Sequence, residues 1–599
     1  MASVVTDGRE SRTAAPAKIA ADLIVSYLER VGVDYVFGVP GGAIEPLLDA
    51  LARSGRRGGP RLVVARHETG AAFMAEGYAR QTGRLGVCCA TTGPGSTNMV
   101  TGVASAYDNH VPLLAITGQT ALATFGKGAF QESSCTGINT VGIYANCTRY
   151  NSLISHPGQL EQKLVSAIMT AVHTPSGPAH LSVPLDVLRS PITTQLPGYN
   201  LRALLRPREF VDEDAVAAFA DELERADRPV FVIGDECHEA ASLILDLAML
   251  LDAPVVTTPD GKGLVSPWHP LFRGVIGFAG HVLAHDTLQD PGVDLVIAVG
   301  TDLSEWSTDG WDAESILTSR LVHVEYTASN LTRSPMARLH VAGSFDRIFE
   351  TLIRRFDSEA GQARRARYLA QARENLATGR RAFRFEDEAA FRRACEPITP
   401  QHLMNCLARA FPPSTKYFAD TGNSVAWVTH YLDPLDRRMA GPRSVGGGVF
   451  RASVKFASMG WAIGVAIGCA LAYRDGPVVC VTGDGSVLMS GQELTVAVEH
   501  ELPVVFVVLN DAALGMVKHG QRLAGSERIG YRLPPVDFCA LAGALGAQGF
   551  RIRSPEDFGA LDIAGICRHR GPTVLDVYVD GEQVPPMGTR MKVLGHGND

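Results

Sequence analysis

Short apolar runs alternate with segments of helical period along most of the chain, and that alternation predicts three α/β units. In the first unit, DYVFGVPGG, RLVVARHE, RLGVCCATTGPG, VPLLAITGQ and PAHLSVPLD read as strands or strand-turns, giving a domain over residues 16–191. A central domain over 205–356 starts near Val211 with the helix DEDAVAAFADELERA. It continues through RPVFVIGD, APVVTT, VDLVIAVG and LVHVEY. Residues 357–396 are Arg-rich with helical period and read as a solvated helical linker, since a charge run is usually a wet face. The third domain covers 397–582 and closes on PTVLDVYVD, leaving a tail at 583–599. The fold class expected is α/β, three domains each with a parallel sheet. The first and third share a layout of strands ending in glycine-rich loops followed by helices, without a residue-level repeat.

Composition excludes more than it assigns. Of 599 residues, 46% are hydrophobic and 20% charged, enough to fill several cores. A net charge of −8 and a pI of about 6.1 leave no nucleic-acid footprint. The opening MASVVTDGRESRTAAPAK lacks the apolar core of a signal peptide, and GWAIGVAIGCALAY at 460–473 is too short to cross a bilayer. Eleven cysteines, none in a CxxC pair, suit buried thiols in a reducing cytosol. A cytoplasmic protein with neither nucleic-acid nor membrane partners is expected.

Chemistry concentrates where buried strands surface. PVVCVTGDGSVLMS carries an apolar run into Thr482-Gly483-Asp484-Gly485-Ser486, and LPVVFVVLND reaches Asn510, 26 residues after Asp484. MSGQELTVAVEH between them has helical period, so a strand–helix–strand unit would bring both side chains to neighbouring strand ends. One anionic and one neutral oxygen ligand suit Mg²⁺, which keeps waters and favours phosphate oxygens. Gly485 and Ser486 would open a helix whose free N–H groups attract anions. Asp-Gly is also ordinary turn chemistry, but its pairing with a strand-end Asn favours a magnesium–diphosphate site.

The stretch GDGSVLMSGQELTVAVEHELPVVFVVLND resembles the thiamine-diphosphate signature, and the whole chain resembles the acetolactate synthase group of that superfamily. The resemblance implies pyrimidine-binding, central and diphosphate-binding domains, with thiamine diphosphate and Mg²⁺ as cofactors. It assigns the metal to the side chains of Asp484 and Asn510 and to the backbone carbonyl of Ala512. Thiamine chemistry needs an acid that protonates the aminopyrimidine ring. VVARHETGAAFMAEGYAR matches the family pattern around that acid and implies Glu68; the plain alternative is a carboxylate that favours a helix N-terminus. Arg66 and His67 are read as structural neighbours. By the same resemblance, Gly41 and Gly42 let backbone approach the cofactor, and Pro94, Gly95 and Asn98 of TTGPGSTN lie near its pyrimidine. Asn423 and Ser424 of DTGNSVAW would contact the diphosphate alongside Gly483, Asp484, Gly485 and Ser486. Met459 of FASMGWAIG would wedge between the cofactor rings, with the Ala457 carbonyl accepting from the 4′-amino group. Gly515 and Met516 of LGMV would face the cofactor. Tight turns and core packing account equally for isolated glycines and methionines.

On the substrate side, GAFQESS resembles the AFQE stretch of acetolactate synthases and makes Phe130 and Gln131 candidates. The implied reaction decarboxylates pyruvate, or a similar 2-oxoacid donor, and transfers the remaining unit to an acceptor carbonyl. The chain departs from the family at Leu185, where a lysine is frequent, and at Gly520, where amino-acid-making members place a Trp. Glycine there makes room for a bulkier acceptor, with His519 and Gln521 as polar groups to meet it. His110 of YDNHVPLL stands where a small residue is usual and is a candidate to orient substrate. The central domain has neither a GxGxxG fingerprint nor the basic pattern of a flavin site, so no FAD and no nicotinamide are expected. The family builds each active site from the Glu68 domain of one subunit and the metal domain of another, implying a homodimer at minimum and a homotetramer on doubling. The alternatives are a 2-oxoacid decarboxylase releasing an aldehyde and a non-catalytic cofactor-binding regulatory protein; intact Glu68, Asp484 and Asn510 argue against the latter.

Overall fold

A computed structural model describes residues 18–192, 198–206, 209–435 and 449–595. The opening stretch through Ala17, including the first two residues of the first domain, and the last four residues of the tail lie outside the described residues. The first unit is a sheet of β1 (Tyr35–Gly38), β2 (Arg61–Val64), β3 (Gly86–Ala90), β4 (Leu113–Gln119), β5 (Tyr150–Leu153) and β6 (Pro178–Pro184), in the order β2-β1-β3-β4-β6-β5. All its pairings are parallel. β3, β4 and β6 are buried along their whole length, which is why they read as near-continuous apolar runs rather than alternating ones.

The central sheet holds β7 (Pro229–Ile233), β8 (Val255–Thr257), β9 (Phe272–Val275), β10 (Leu295–Val299), β11 (Leu321–Glu325) and β12 (Leu339–Ala342), in the order β12-β11-β10-β7-β8-β9. Counted from β9, that is the 3-2-1-4-5-6 order of dinucleotide-binding sheets. The third sheet holds β13 (Lys416–Ala419), β14 (Phe450–Ala452), β15 (Val478–Gly483), β16 (Val504–Asn510), β17 (Gln548–Ile552) and β18 (Thr573–Tyr578), in the order β14-β13-β15-β16-β18-β17. Its strands repeat the order of the first sheet step for step, so the shared layout extends to topology. Among the described residues no helix is long and apolar enough to cross a membrane.

The stretch expected as a wet linker is only partly so. Its helix Glu359–Thr378 docks on the central unit: Arg364 donates to the Leu250 carbonyl at 3.0 Å and Arg365 pairs with Asp246 at 2.8 Å. Its charged stripe binds a helix instead of facing water throughout. The tail also folds back, with a helix over Gly588–Gly595 whose Thr589 hydroxyl donates to Asp309 of the central unit.

The third unit sits between the other two. One core joins it to the central sheet, and a second joins it to the first. That second core contains a crossing of helix Glu68–Thr82 with helix Trp461–Ala472, which is apolar and buried almost all round. Glycines bring the backbones together. A Cβ on Gly464 would lie 2.6 Å from Phe73 Cβ, and one on Gly77 or Gly468 would collide with the carbonyl oxygens of Val465 or Met74. Gly468→Ala is expected to destabilise the chain by about 1–3 kcal/mol through overpacking. Gly543→Ala has open space around its new methyl group among the described residues and is expected to stabilise by about 0.4–1 kcal/mol. Thermal unfolding midpoints of the two variants should therefore move in opposite directions.

Candidate functional site

Parallel register assembles the first half of the site. β15 pairs with β16 from Val478↔Val504 to Gly483↔Leu509, so one further step sets Asp484 beside Asn510. Asn510 Nδ2 donates to Asp576 Oδ1 at 2.8 Å and to the Val536 carbonyl at 3.1 Å, leaving the amide oxygen as its free ligand atom. Ala512 follows in the left-handed region at φ 52°, a strain that clusters at functional turns. Asp484 is buried, with Oδ1 accepting the Gly485 N–H at 2.7 Å. Its Oδ2 has no hydrogen-bond partner among the described residues. Burial pushes this carboxyl above its ordinary range, against the pull of the Gly485 amide and of the nearby Ala513, Ala512 and Asp511 amides; a bound cation would reverse that direction.

Of these residues Asp484 lines a cavity of about 640 Å³, whereas Asn510 and Ala512 are set just behind a wall formed by their neighbours Leu509, Asp511 and Ala513. Asn423, Ser424, Met459, Gly483, Asp484, Gly485, Ser486, Gly515 and Met516 all line it. Helices Asn423–Tyr431, Asp484–Ser490 and Gly515–Leu523 begin on its wall, offering free N–H groups to an anion. Asn423 Oδ1 also lacks a partner among the described residues. A Cβ on Gly422 or Gly483 would meet nothing described within 4 Å, whereas one on Gly485 would lie 2.7 Å from Leu514. The first two glycines make room for a ligand; the third permits close packing. Ala457 lies beside this wall at φ 54°, again left-handed.

The second half lies at the carboxyl edge of the first sheet. Glu68 opens its helix with only 8% of its surface exposed, and Asn98 Nδ2 donates to Glu68 Oε2 at 3.0 Å. Asn98 closes the short helix that starts at Pro94. A Cβ on Gly95 would touch Glu68 Oε1 at 3.2 Å, and one on Gly41 would press on Thr91. Thr92 donates to the Gln131 carbonyl at 3.0 Å, with Gln131 itself at φ 58°. Next to it, Phe130 stands 85% exposed. None of these residues lines the 640 Å³ cavity. Within the described residues of one chain, the expected site residues form two separate groups.

Three family models match this chain in order: the thiamine pyrophosphate enzyme N-terminal TPP binding domain over residues 19–138, its central domain over 216–352 and its C-terminal TPP binding domain over 420–577. The chain is 31% identical over 597 residues to the acetolactate synthase large subunit of Parasynechococcus marenigrum, covering 98% of this chain and 91% of that protein. It is 30% identical over 599 residues to a probable acetolactate synthase large subunit of Methanococcus aeolicus, covering 94% and 93%. It is 29% identical over 582 residues to the acetolactate synthase isozyme 1 large subunit of Escherichia coli, covering 96% and 97%. The chain belongs to the thiamine pyrophosphate enzyme family.

The matched domains imply thiamine diphosphate as the cofactor. Glycine-made room and converging helix starts suit its diphosphate end, and the orphaned carboxylate oxygen of Asp484, which would by itself repel an anion, suits a cation between them. Two expected residues lie elsewhere. His110 belongs to the amino end of β4, not the carboxyl edge where Glu68 sits. It lines a different cavity of about 330 Å³ and approaches Glu236 of the central unit at 3.9 Å. His519, expected to meet an acceptor, is buried behind its helix and absent from the cavity wall. Burial, with Arg522 and Lys518 nearby, pushes its imidazole down to about 4. Gln521 does line the cavity, yet its amide is tied to the Ile529 backbone at 2.9 and 3.1 Å and is not free.

Sequence reading missed four contributors to these half-sites. Asp420, fully buried, accepts from Thr482 Oγ1 at 2.8 Å and from the Gly460 N–H at 3.1 Å, tying together three cavity-lining segments. Its signal was present, since it ends an apolar strand just as Asp484 does. Asp576 was visible as a lone charge inside TVLDVY. Asp511 lines the cavity and is raised to about 7 by burial and by Asp484. Arg590, from the folded-back tail, also lines the cavity and carried no local signal.

Gly483→Val should leave the unfolding midpoint of the cofactor-free protein unchanged and weaken thiamine diphosphate binding by about 100-fold, the equivalent of about 2.7 kcal/mol, read by calorimetric titration. A second outcome concerns pH. The folded-state pKa of His519 lies below its ordinary 6.5, so its stabilising contribution is present above that value and lost as pH falls toward 4. His519→Gln should flatten denaturant-measured stability across that window.

Proposed function

We propose that this chain is a thiamine-diphosphate-dependent carboligase that takes a 2-oxoacid such as pyruvate as donor and a carbonyl compound as acceptor. The observation that carries the reading is the pair of half-sites, one built around an acid and one around a cation ligand set, at the carboxyl edges of two sheets of identical strand order. In this reading Asp484, Asn510 and the Ala512 carbonyl hold Mg²⁺, while the helix starts at Asn423, Asp484 and Gly515 bind the diphosphate. When bound, the coenzyme supplies a nucleophilic thiazolium carbon and the means to stabilise the charge left by decarboxylation. Asn98 occupies Glu68 Oε2, so Oε1 is the atom that shares a proton with the aminopyrimidine ring. Ala457 offers its carbonyl to the exocyclic amine, and Met459 supports the folded coenzyme. Phe130 and Gln131 close the substrate side and exclude water.

The two half-sites meet between subunits in this reading, making a homodimer the smallest active form. Separation of Glu68 from the metal-side cavity within one chain, and the 85% exposure of Phe130 beside it, support that arrangement. Gly520 lines the cavity with nothing described within 4 Å of where its Cβ would be, which supports an acceptor larger than pyruvate. A flavin or nicotinamide remains outside the proposal. At the switch point of the central sheet, Asp235 is held by Arg451 and Arg80, and Asp302 by Lys455 at 3.2 Å. Carboxylates there suit a dinucleotide pyrophosphate poorly.

The decisive experiment supplies pyruvate, thiamine diphosphate and Mg²⁺ with a panel of oxoacids and aldehydes, and identifies products by mass. An α-hydroxyketone or hydroxy-oxoacid is expected; free aldehyde alone would make the protein a decarboxylase. Glu68→Gln should lower kcat by about 10²–10⁴-fold, the range of general acid–base catalysis. Mixing Glu68→Gln with Asp484→Ala chains should restore about a quarter of wild-type activity, because half of randomly paired dimers carry one intact site of two. Gly520→Trp should shift the products toward small acceptors.

A further inference from the structure

A fully buried acid with no part in the proposed chemistry lies outside the 640 Å³ cavity. Glu493 follows Asp484 on the same excursion from the third sheet and is only 1% exposed. Its hydrogen bonds cross to the first unit. Oε2 accepts the Arg66 N–H at 3.1 Å and Oε1 accepts the His67 N–H at 2.9 Å. These are the two peptide groups immediately before Glu68. The contact is tight, since a Cβ on Gly70 would collide with Glu493 Oε1. Arg66 does not neutralise it in the ordinary way. Its guanidinium turns to Thr495 Oγ1 at 2.7 Å and to Glu499 at 2.8 Å, pinning the same loop from the outside.

A buried carboxylate held by amides costs more to keep than an apolar side chain of the same size. Here it acts at one place, the backbone that delivers the acid. We propose that Glu493 is the positioning residue for Glu68: its carboxylate reaches across from the metal-binding unit and clamps the two N–H groups that set where the Glu68 carboxyl sits. The inference rests on the assignment of Glu68 as the acid that meets the coenzyme.

The clamp has a protonation state. The charged groups facing Glu493 are Arg66 and Glu68 of the first unit, with His67 supplying one of the two amides it accepts; Arg66 is shared with Glu499. Burial raises Glu493 to about 7, opposed by the two amides. Ionised, the carboxylate accepts both N–H groups. Protonated, its hydroxyl must donate, and one amide loses its acceptor. The clamp therefore weakens as pH falls through 7.

The test compares wild type with Glu493→Gln and Glu493→Asp as full-length proteins. Titrations of thiamine diphosphate and of inorganic pyrophosphate, each with Mg²⁺, separate the pyrimidine end from the diphosphate end. Glu493→Gln is expected to weaken thiamine diphosphate binding about tenfold while pyrophosphate binding stays within about twofold, and to lower kcat by about 10²-fold, as a misplacement near 1 Å does. The wild-type fall in kcat/KM below pH 7 should vanish in Glu493→Gln and return in Glu493→Asp, which keeps a carboxylate. Equal weakening of both ligands would reduce Glu493 to a fold-maintaining residue and overturn the proposal, as would an unchanged pH limb in Glu493→Gln. If Glu68→Gln itself leaves thiamine diphosphate affinity and kcat untouched, the assignment beneath the proposal fails, and the proposal with it.

Discussion

Two helices cross almost backbone to backbone where the first and third units meet, and no side chain larger than hydrogen is accommodated at Gly77 or Gly468. That contact fixes the helix carrying Glu68 against the helix that leads into the strand ending at Asp484. Close-packed interiors transmit such constraints because they have few voids in which to relax. The position of Glu68 at one sheet edge is thus tied to the position of the Asp484–Asn510 pair at another, through packing that contains no chemistry of its own. Glu493 extends the same tie with two directed hydrogen bonds.

The cavity beside Asp484 is organised differently. Its polar atoms are arranged for a ligand rather than for each other: Asp484 Oδ2 and Asn423 Oδ1 find no partner among the described residues, though orphaned buried polar atoms are costly and uncommon. Other polar atoms at the site are engaged, Asp484 Oδ1 by the Gly485 amide and Asn510 Nδ2 by Asp576 and Val536. Orientation is settled beforehand, and the remaining lone pairs stay available. Gln131, Ala457 and Ala512 all hold left-handed backbone, and each belongs to a segment that the family resemblance places against cofactor or substrate.

The central unit is tied to the other two by ion pairs. Its sheet has the order of a dinucleotide binder, yet its switch point is occupied by ion pairs to the other two units: Asp235 to Arg451 and Arg80, and Asp302 and Glu236 to Lys455 at 3.2 and 3.7 Å. His110 falls into this junction, a place its local sequence gave no reason to expect.

The sequence by itself determined the three α/β units, the buried strands and the Asp484–Asn510 pair, because burial on both faces writes continuous apolar runs and parallel register converts a fixed spacing into adjacency. It also disclosed Glu68, through a resemblance carried by a contiguous motif. It could not place His110, His519 or Glu493, whose neighbours lie on other units or on the hidden side of a helix. Those positions were decided by tertiary packing: which side of a helix is sealed, which strand end meets which domain, and how closely glycine lets two backbones approach. Such contacts join residues hundreds of positions apart, and no local pattern records them.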